Sequence, residues 1–434
     1  MPMKLLQTSK IANDLKRIYS NQYFGNTVWL LAENGLRLVA GLFVGVWVVR
    51  YLGPEDFGIL SYANSFVIVF AALGSLGVDN ILVRELIVQK NNRDYLIGSA
   101  FAIKLIGSIV LVLVVSVALW FSSGSTEVNI IIYLIVLSNL LSSFNVISLY
   151  FQSQVLSKYQ VFASIISLII SIAIKIYFIL TERGLFAFAS VYVIESLAFA
   201  ASAIFFYKYN GLSPFTWKIR RSTIAALFRD SWPLLLSGIS ISLGMRIDQV
   251  MLNHFLDTSS VGLYAAGVKI AEVLVFIPAV IGKSIYPKIV ALDMETEQGK
   301  LKGLIRHVFY LLLAISIGVL LASEYLVDIL YGSEFLESYL VINILVFTIP
   351  LTYLGTITNK LLLKFGLGKV IFIKQFSLAL LNISLNIILI PIYGIIGAAF
   401  STLLASLVTN LFFELFVPGK RWLFNLKINS LLLR

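Results

Sequence analysis

GVWVVRYLGPEDFGILSYANSF, residues 45–66, holds the end of one apolar run, a tight charged turn from Arg50 to Asp56, and the start of the next run. A related stretch, VMLNHFLDTSSVGLYAAGVKI, returns at residues 250–270. With Gly58 laid on Gly262, an offset of 204, Leu52 falls on Leu256, Phe57 on Val261 and Ile59 on Leu263. A second echo sits near the close of each half: ERGLFAFAS from Glu182 against IYGIIGAAF from Ile392, with Gly184 on Gly394 at an offset of 210. Two halves of similar length built to one plan, in an apolar chain, are the pattern of a transporter made from structural repeats.

Composition fixes the class. The chain has 434 residues, of which 59% are hydrophobic and 13% charged, whereas soluble domains carry about 25% charged residues. Twelve apolar runs reach the roughly 17–25 residues that a helix needs to cross a bilayer. They lie at 28–49, 57–78, 96–121, 129–151, 160–181, 184–206, 232–253, 261–282, 304–323, 336–359, 370–391 and 394–417. None alternates apolar with polar residues as a barrel strand would, so the remaining spanning structure is the helix. The expected fold is an all-α integral membrane protein with about twelve transmembrane helices in two six-helix lobes. The first lobe takes residues 1–206, with an amphipathic surface helix over residues 1–27. A basic linker carrying a surface helix takes 207–231, and the second lobe with a short basic tail takes 232–434.

Lysine and arginine set the orientation. Twenty-six of the 33 basic residues fall on the side of the N-terminus, including Lys374 and Lys427, and two, Arg50 and Arg183, fall on the other. Both termini are therefore expected in the cytoplasm. The bases lie between apolar runs rather than in one patch, which excludes nucleic acid as a partner. There are no cysteines and two histidines, His254 and His307, which leaves no disulfide framework, thiolate metal site or His-rich metal centre. The outward loops are too short for a soluble catalytic domain, so no enzyme activity is expected.

The remaining five bases, Arg37, Lys104, Lys175, Arg246 and Lys269, lie inside the runs, against the acids Glu195, Asp248 and Glu272, with Glu33 and Glu414 nearer the run ends. A charge at mid-bilayer costs about 2.5–3.5 kcal/mol on insertion scales, so each needs a reason. Glu33 and Arg37, at i and i+4, share one helical face and could pair locally; Lys269 and Glu272, at i and i+3, could do the same. Lys104 and Lys175 could snorkel toward an interface. Arg246 and Asp248 stand about 200° apart around a helix and cannot pair with each other. For Glu195 and Asp248, carriage of H+ or Na+ stands beside a buried helix–helix hydrogen bond. Arg50 stands at an outer mouth, with His254 as its repeat-related counterpart. A net basic interior suits an anionic cargo.

VVRYLGPEDFGILSYANSF followed by SLGVDNILVREL resembles the opening of bacterial polysaccharide flippases, the oligosaccharide exporters of the MATE-related MOP superfamily. SWPLLLSGISISLGMRIDQVMLNHF, VGLYAAGVKIAEVLVFIPAVIGKSIYPKIV and NIILIPIYGIIGAAFSTLLAS extend the resemblance over nearly the whole chain. It implies two six-helix lobes around a central cationic cavity that moves a polyprenyl-diphosphate-linked oligosaccharide from the inner to the outer leaflet of the bacterial cytoplasmic membrane. Arg37, Arg246 and Lys269 would be its transmembrane bases, with Lys175 a further candidate contact and Arg50 at the outer rim. Asp248 and Glu272, with Glu195, would be the ion-coupling acids. Peptidoglycan-precursor flippases of the superfamily usually have fourteen helices, so twelve favour an O-antigen, capsule or other exopolysaccharide unit. A polysaccharide polymerase and a chain-length regulator would be partners in the same membrane. A small-molecule or cation antiporter of the same fold and a membrane glycan polymerase or ligase are the rival readings.

Overall fold

The structure, a computed structural model, describes residues 3–121, 124–291 and 298–432, with the side chains before Gly25 and most of those from 283 to 300 outside that description. The amphipathic reading of residues 1–27 and the bases Lys4, Lys10, Lys16, Arg17, Lys283, Lys288, Lys300 and Arg434 accordingly lie outside the described residues or side chains. Every described regular element is helical. The main helices are α1 (Met3–Phe70), α2 (Val78–Val88), α3 (Arg93–Trp120), α4 (Thr126–Leu141), α5 (Val146–Ser153), α6 (Ser157–Leu180) and α7 (Leu185–Tyr209). They continue with α8 (Arg221–Phe255), α9 (Thr258–Ala291), α10 (Gln298–Tyr331), α11 (Ser338–Leu345), α12 (Thr348–Lys364), α13 (Gly368–Leu407) and α14 (Arg421–Leu431).

Ten stretches among the described residues are long and apolar enough to span a membrane, and each of the twelve runs lies for the most part within one of them. Two of them, Val28–Phe70 and Gly368–Phe416, each hold a pair of runs. The reason is the turn between them. Gly53 (φ 72°) followed by Pro54, and Gly394 (φ 60°) just after Pro391, take backbone conformations closed to most residues and fold the chain back within a few residues. The second run was expected to continue to residue 78, but its helix stops at Phe70. Leu76 (φ 48°) and Gly77 (φ 71°) then carry the chain into α2. This break packs tightly: a Cβ on Gly107 of α3 would stand 2.4 Å from the Leu73 carbonyl oxygen, and one on Gly77 would stand 2.7 Å from the Ser231 carbonyl oxygen.

The chain divides into two compact units, one of residues 1–45 and 71–235, the other of 46–70 and 236–434. The core of the first is built on Val78, Leu82, Ile97, Val146, Phe151 and Tyr207. The core of the second is built on Val49, Phe57, Leu312, Phe335, Tyr353 and Leu361. Large apolar side chains such as Trp120, Phe43 and Leu321 remain 76–87% exposed, as expected where lipid rather than water covers the surface.

The expected helix of the linker is not a separate surface element: residues 221–231 are helical as the opening turns of α8. A single 3-10 turn, Pro214–Thr216, leads directly into α8 at Arg221. The extended segment before α8 is held on α3: the Lys218 amide donates to the Asp94 carbonyl oxygen (3.1 Å), the Arg220 amide to Ser99 Oγ (3.2 Å), and the Arg220 guanidinium lies 3.7 Å from the centre of the Tyr95 ring.

In the second unit, the two repeat-related glycines of the opening motif lie against each other's helices. A Cβ on Gly58 would fall 1.7 Å from the Thr258 carbonyl oxygen, and one on Gly262 would fall 1.9 Å from the Pro54 carbonyl oxygen. Only hydrogen in place of a side chain permits this approach.

Candidate functional site

In the first unit, three of the candidate residues gather. Arg37 Nε donates to Glu33 Oε1 at 3.4 Å, and Arg37 Nη1 stands 3.5 Å from Glu195 Oε1. Lys175 is half-buried and within electrostatic reach of both Glu195 and Arg37. The local Glu33–Arg37 pair is thus present, but it is only half of the contact. The guanidinium bridges α1 to α7 and keeps 40% of its side-chain surface exposed.

Arg37 and Glu195 line a cavity of about 570 Å³. Lys104 and Asp79 line it too. Lys104 does not snorkel: its side chain is 4% exposed, and its ammonium donates to Asp79 Oδ1 at 2.8 Å. Sequence reasoning did not count Asp79 among the interior acids because it lies just beyond the expected end of the second run. The break at 71–77 returns it to the interior at the start of α2.

In the second unit, Arg246 of α8 pairs with Glu272 of α9, Nη2 to Oε1 at 3.0 Å. Its Nε is buried without a hydrogen-bond partner among the described residues. Glu272 thus has a partner on the neighbouring helix, and the Lys269 ammonium lies 4.8 Å from the centre of the Phe57 ring. Asp248 is 7% exposed and accepts a hydrogen bond from the Tyr264 hydroxyl. A polar chain continues from there. Tyr264 meets Thr402, Asn382 Nδ2 donates to Thr402 Oγ1 (3.1 Å), and Asn386 Nδ2 donates to Asn382 Oδ1 (3.0 Å). Asn386 Oδ1 is buried and unpartnered among the described residues. Asp248, Tyr264 and Glu272 line a second cavity of about 300 Å³. Arg50 stands apart from it, exposed, with Nε 3.6 Å from where a Cβ on Gly332 would lie.

Two bases assigned to the cytoplasmic loop and tail are not in solvent. Lys374 and Lys427 both bond to Glu414, which is fully buried: Lys374 Nζ donates to Oε1 at 3.1 Å and Lys427 Nζ to Oε2. Lys427 also donates to the Asn410 carbonyl oxygen at 2.7 Å. Residues 408–412 form a π-helical turn, a geometry that shifts carbonyls out of the regular helical ladder. Burial pushes the Lys427 ammonium down to about 8 against the pull of Glu414. A charge count along the sequence cannot separate a loop lysine from one folded back by a short C-terminal helix, here α14.

The polar stripes of the spanning helices also escaped a search for charges. Gln160, Ser164 and Ser167 on α6, and Thr352, Thr356 and Asn359 on α12, recur at i, i+4, i+7 and face the two cavities. That spacing is readable in an apolar run.

A family described as "Polysaccharide biosynthesis protein" matches residues 24–293, more than half of the chain. The chain belongs to this family. Two Haloferax volcanii proteins are similar to this polysaccharide biosynthesis protein. "Probable flippase AglR" is 24% identical over 411 residues, which cover 86% of this chain and 78% of that one. "Probable low-salt glycan biosynthesis flippase Agl15" is 26% identical over 242 residues, covering 54% and 50%. Among solved structures, the lipid II flippase MurJ in an inward closed conformation superposes with TM-score 0.72 at 16% identity, over 93% of this chain and 91% of that one. An inward-facing multidrug resistance MATE transporter of the MOP superfamily superposes with TM-score 0.69 at 16% identity, over 90% and 95%. These two likenesses show the fold. It is the MATE/MOP-like all-helical fold.

Proposed function

We propose that this polysaccharide biosynthesis protein is a flippase and not an enzyme. It moves a polyprenyl-diphosphate-linked oligosaccharide, an O-antigen, capsule or exopolysaccharide repeat unit, from the cytoplasmic to the outer leaflet by alternating access through a central cationic cavity. The family match and the flippases among its relatives support the reading. The observation that carries the choice of an anionic cargo is the state of Arg246. It is a membrane-embedded guanidinium with one nitrogen on Glu272 and a buried Nε without an acceptor among the described residues. A buried donor left without a partner costs about 1–3 kcal/mol, and a diphosphate offers two charges and several acceptor oxygens to a planar fork of donors.

The same pairs suggest how cargo and ion are linked. A diphosphate that takes Arg37 from Glu195, or Arg246 from Glu272, leaves a carboxylate in a poorly hydrated place. That carboxylate then needs H+ or Na+ to balance it. Asp248, within its chain of hydroxyl and amide groups, serves as the second holder of such an ion. No other cofactor is invoked. Lys175, Lys269 and Arg50 supply further positive charge along the path, and the polyprenyl tail stays in lipid. The protein works in the cytoplasmic membrane with both termini inside, beside a polysaccharide polymerase and a chain-length regulator that consume its product.

The test is complementation. In cells that lack the protein, Arg246→Ala inserts in the membrane at normal abundance but restores no export of the glycan. Normal export by that variant overturns the anionic-cargo assignment.

A further inference from the structure

The cavity of the first unit is polar far beyond what an ion pair needs. Of the sixteen residues that line it, thirteen are charged, hydroxyl or amide side chains, in a chain that is 59% hydrophobic. At about 570 Å³ it falls within the roughly 300–1,000 Å³ range of ligand sites. The lining is built from stripes: Gln160, Ser164 and Ser167 along α6 face Tyr192, Glu195, Ser196 and Phe199 along α7, each set at one-turn spacing on its helix. Some of these groups are spent within the protein, such as Ser142 on the Asn139 carbonyl oxygen (2.6 Å) and Ser167 on the Ser164 carbonyl oxygen (2.9 Å). The side chains of Asn145, Gln160, Ser164 and Ser196 have no hydrogen-bond partner among the described residues. Polar groups inside a membrane protein are costly unless satisfied, so this surface is made for something wet.

We propose that this cavity is a carbohydrate subsite, which takes the first sugars of the cargo while Arg37 at its edge meets the diphosphate. This rests on the flippase reading and names the part of the cargo that the first unit reads. Hydroxyl and amide groups both donate and accept, which matches a sugar's alternating hydroxyls. The rings of Tyr192 and Phe199 offer apolar surface for the C–H faces of a pyranose. A diphosphate alone would call for a cluster of cations, yet besides Arg37 the lining holds one cation, Lys104, and it is already bridged to Asp79. Lys104, locked by Asp79, acts as a further contact residue, presenting its remaining N–H groups to sugar oxygens.

The chain has no cysteine, so single cysteines report cleanly. Full-length Ser164→Cys, Ser196→Cys and, in the other cavity, Thr356→Cys are purified in detergent and modified with a small charged thiol reagent. Two probes are compared: lipid-linked oligosaccharide extracted from cells lacking the protein, and a polyprenyl diphosphate without sugar. The oligosaccharide probe slows modification at 164 and 196 at least tenfold, the bare diphosphate less than twofold, and Thr356→Cys is unmoved by either. Equal protection by both probes overturns the subsite in favour of a diphosphate site. Protection by neither, with lipid-linked oligosaccharide still accumulating on the inner leaflet of deletion cells, overturns the subsite and leaves the flippase standing. If deletion cells show no leaflet defect, the flippase reading fails and the subsite fails with it. As a second readout, Ser164→Leu puts a bulky apolar side chain into the cavity and lowers export at least tenfold at normal abundance, and unchanged export counts against the subsite.

Discussion

Gly58→Ala adds one methyl group where the structure has no room for it. The new carbon would lie 1.7 Å from the Thr258 carbonyl oxygen, while even the tightest real contacts of this kind stay at or beyond 3.0 Å, so the helices must part locally by about 1.3 Å. The obstacle is backbone and cannot swing aside. Overpacking of this sort costs about 1–3 kcal/mol. At about 2 kcal/mol, and about 2–4 °C per kcal/mol for a unit of some two hundred residues, the melting midpoint drops about 4–8 °C. Gly262→Ala meets the Pro54 carbonyl oxygen at 1.9 Å and costs a similar amount. Because one separation relieves both clashes, the double variant costs less than the sum of the singles. Gly41→Ala, with nothing within 4 Å of its added carbon, is the control and leaves the midpoint unchanged or slightly raised. Thermal unfolding of the parent and the four purified variants, followed by circular dichroism in one detergent, decides the matter. A Gly58→Ala midpoint within 1 °C of the parent, or strict additivity in the double variant, refutes the close crossing.

Three further outcomes follow from the charge pairs. Arg246→Lys keeps the charge but loses the planar fork, and export falls about tenfold at equal abundance; full export with lysine shows that a point charge suffices. Glu414→Gln strands Lys374 and Lys427 together in the interior and costs about 3–5 kcal/mol, whereas the triple variant Lys374→Met, Glu414→Leu, Lys427→Met loses much less; equal melting midpoints for the two would show that the triad is hydrated. Asp248→Asn removes the buried carboxylate held by Tyr264, so any residual flipping no longer responds when the H+ or Na+ gradient is collapsed. A variant that keeps the parent's response moves ion coupling to Glu195 or Glu272.

Much of the architecture was legible because membrane helices announce themselves by length and hydropathy. The Gly58–Gly262 alignment was readable as a repeat, and the structure adds that the two aligned glycines touch each other's helices. The tightness of the turns at Gly53 and Gly394 was not readable, since it depends on positive-φ glycine backbones that break the helix between two runs. At the site, the interior charges stood out in the sequence, but their partners did not. Helical spacing suggested Lys269 with Glu272, and the structure adds a partner for Glu272 on another helix, Arg246 of α8. Local spacing governs only neighbours on one helix, and the pairs with the most buried members, Lys104–Asp79 and the Glu414 triad, join distant segments. The serine and threonine stripes were visible all along, hidden only by their lack of charge.

The most direct measurement is leaflet-resolved labelling of lipid-linked oligosaccharide in cells with and without the gene. The expected result is that the intermediate accumulates on the cytoplasmic leaflet when the protein is lost and reaches the outer leaflet when it is restored. An intermediate that reaches the outer leaflet normally without the protein, yet stays unpolymerised there, contradicts it and points to a glycan polymerase instead.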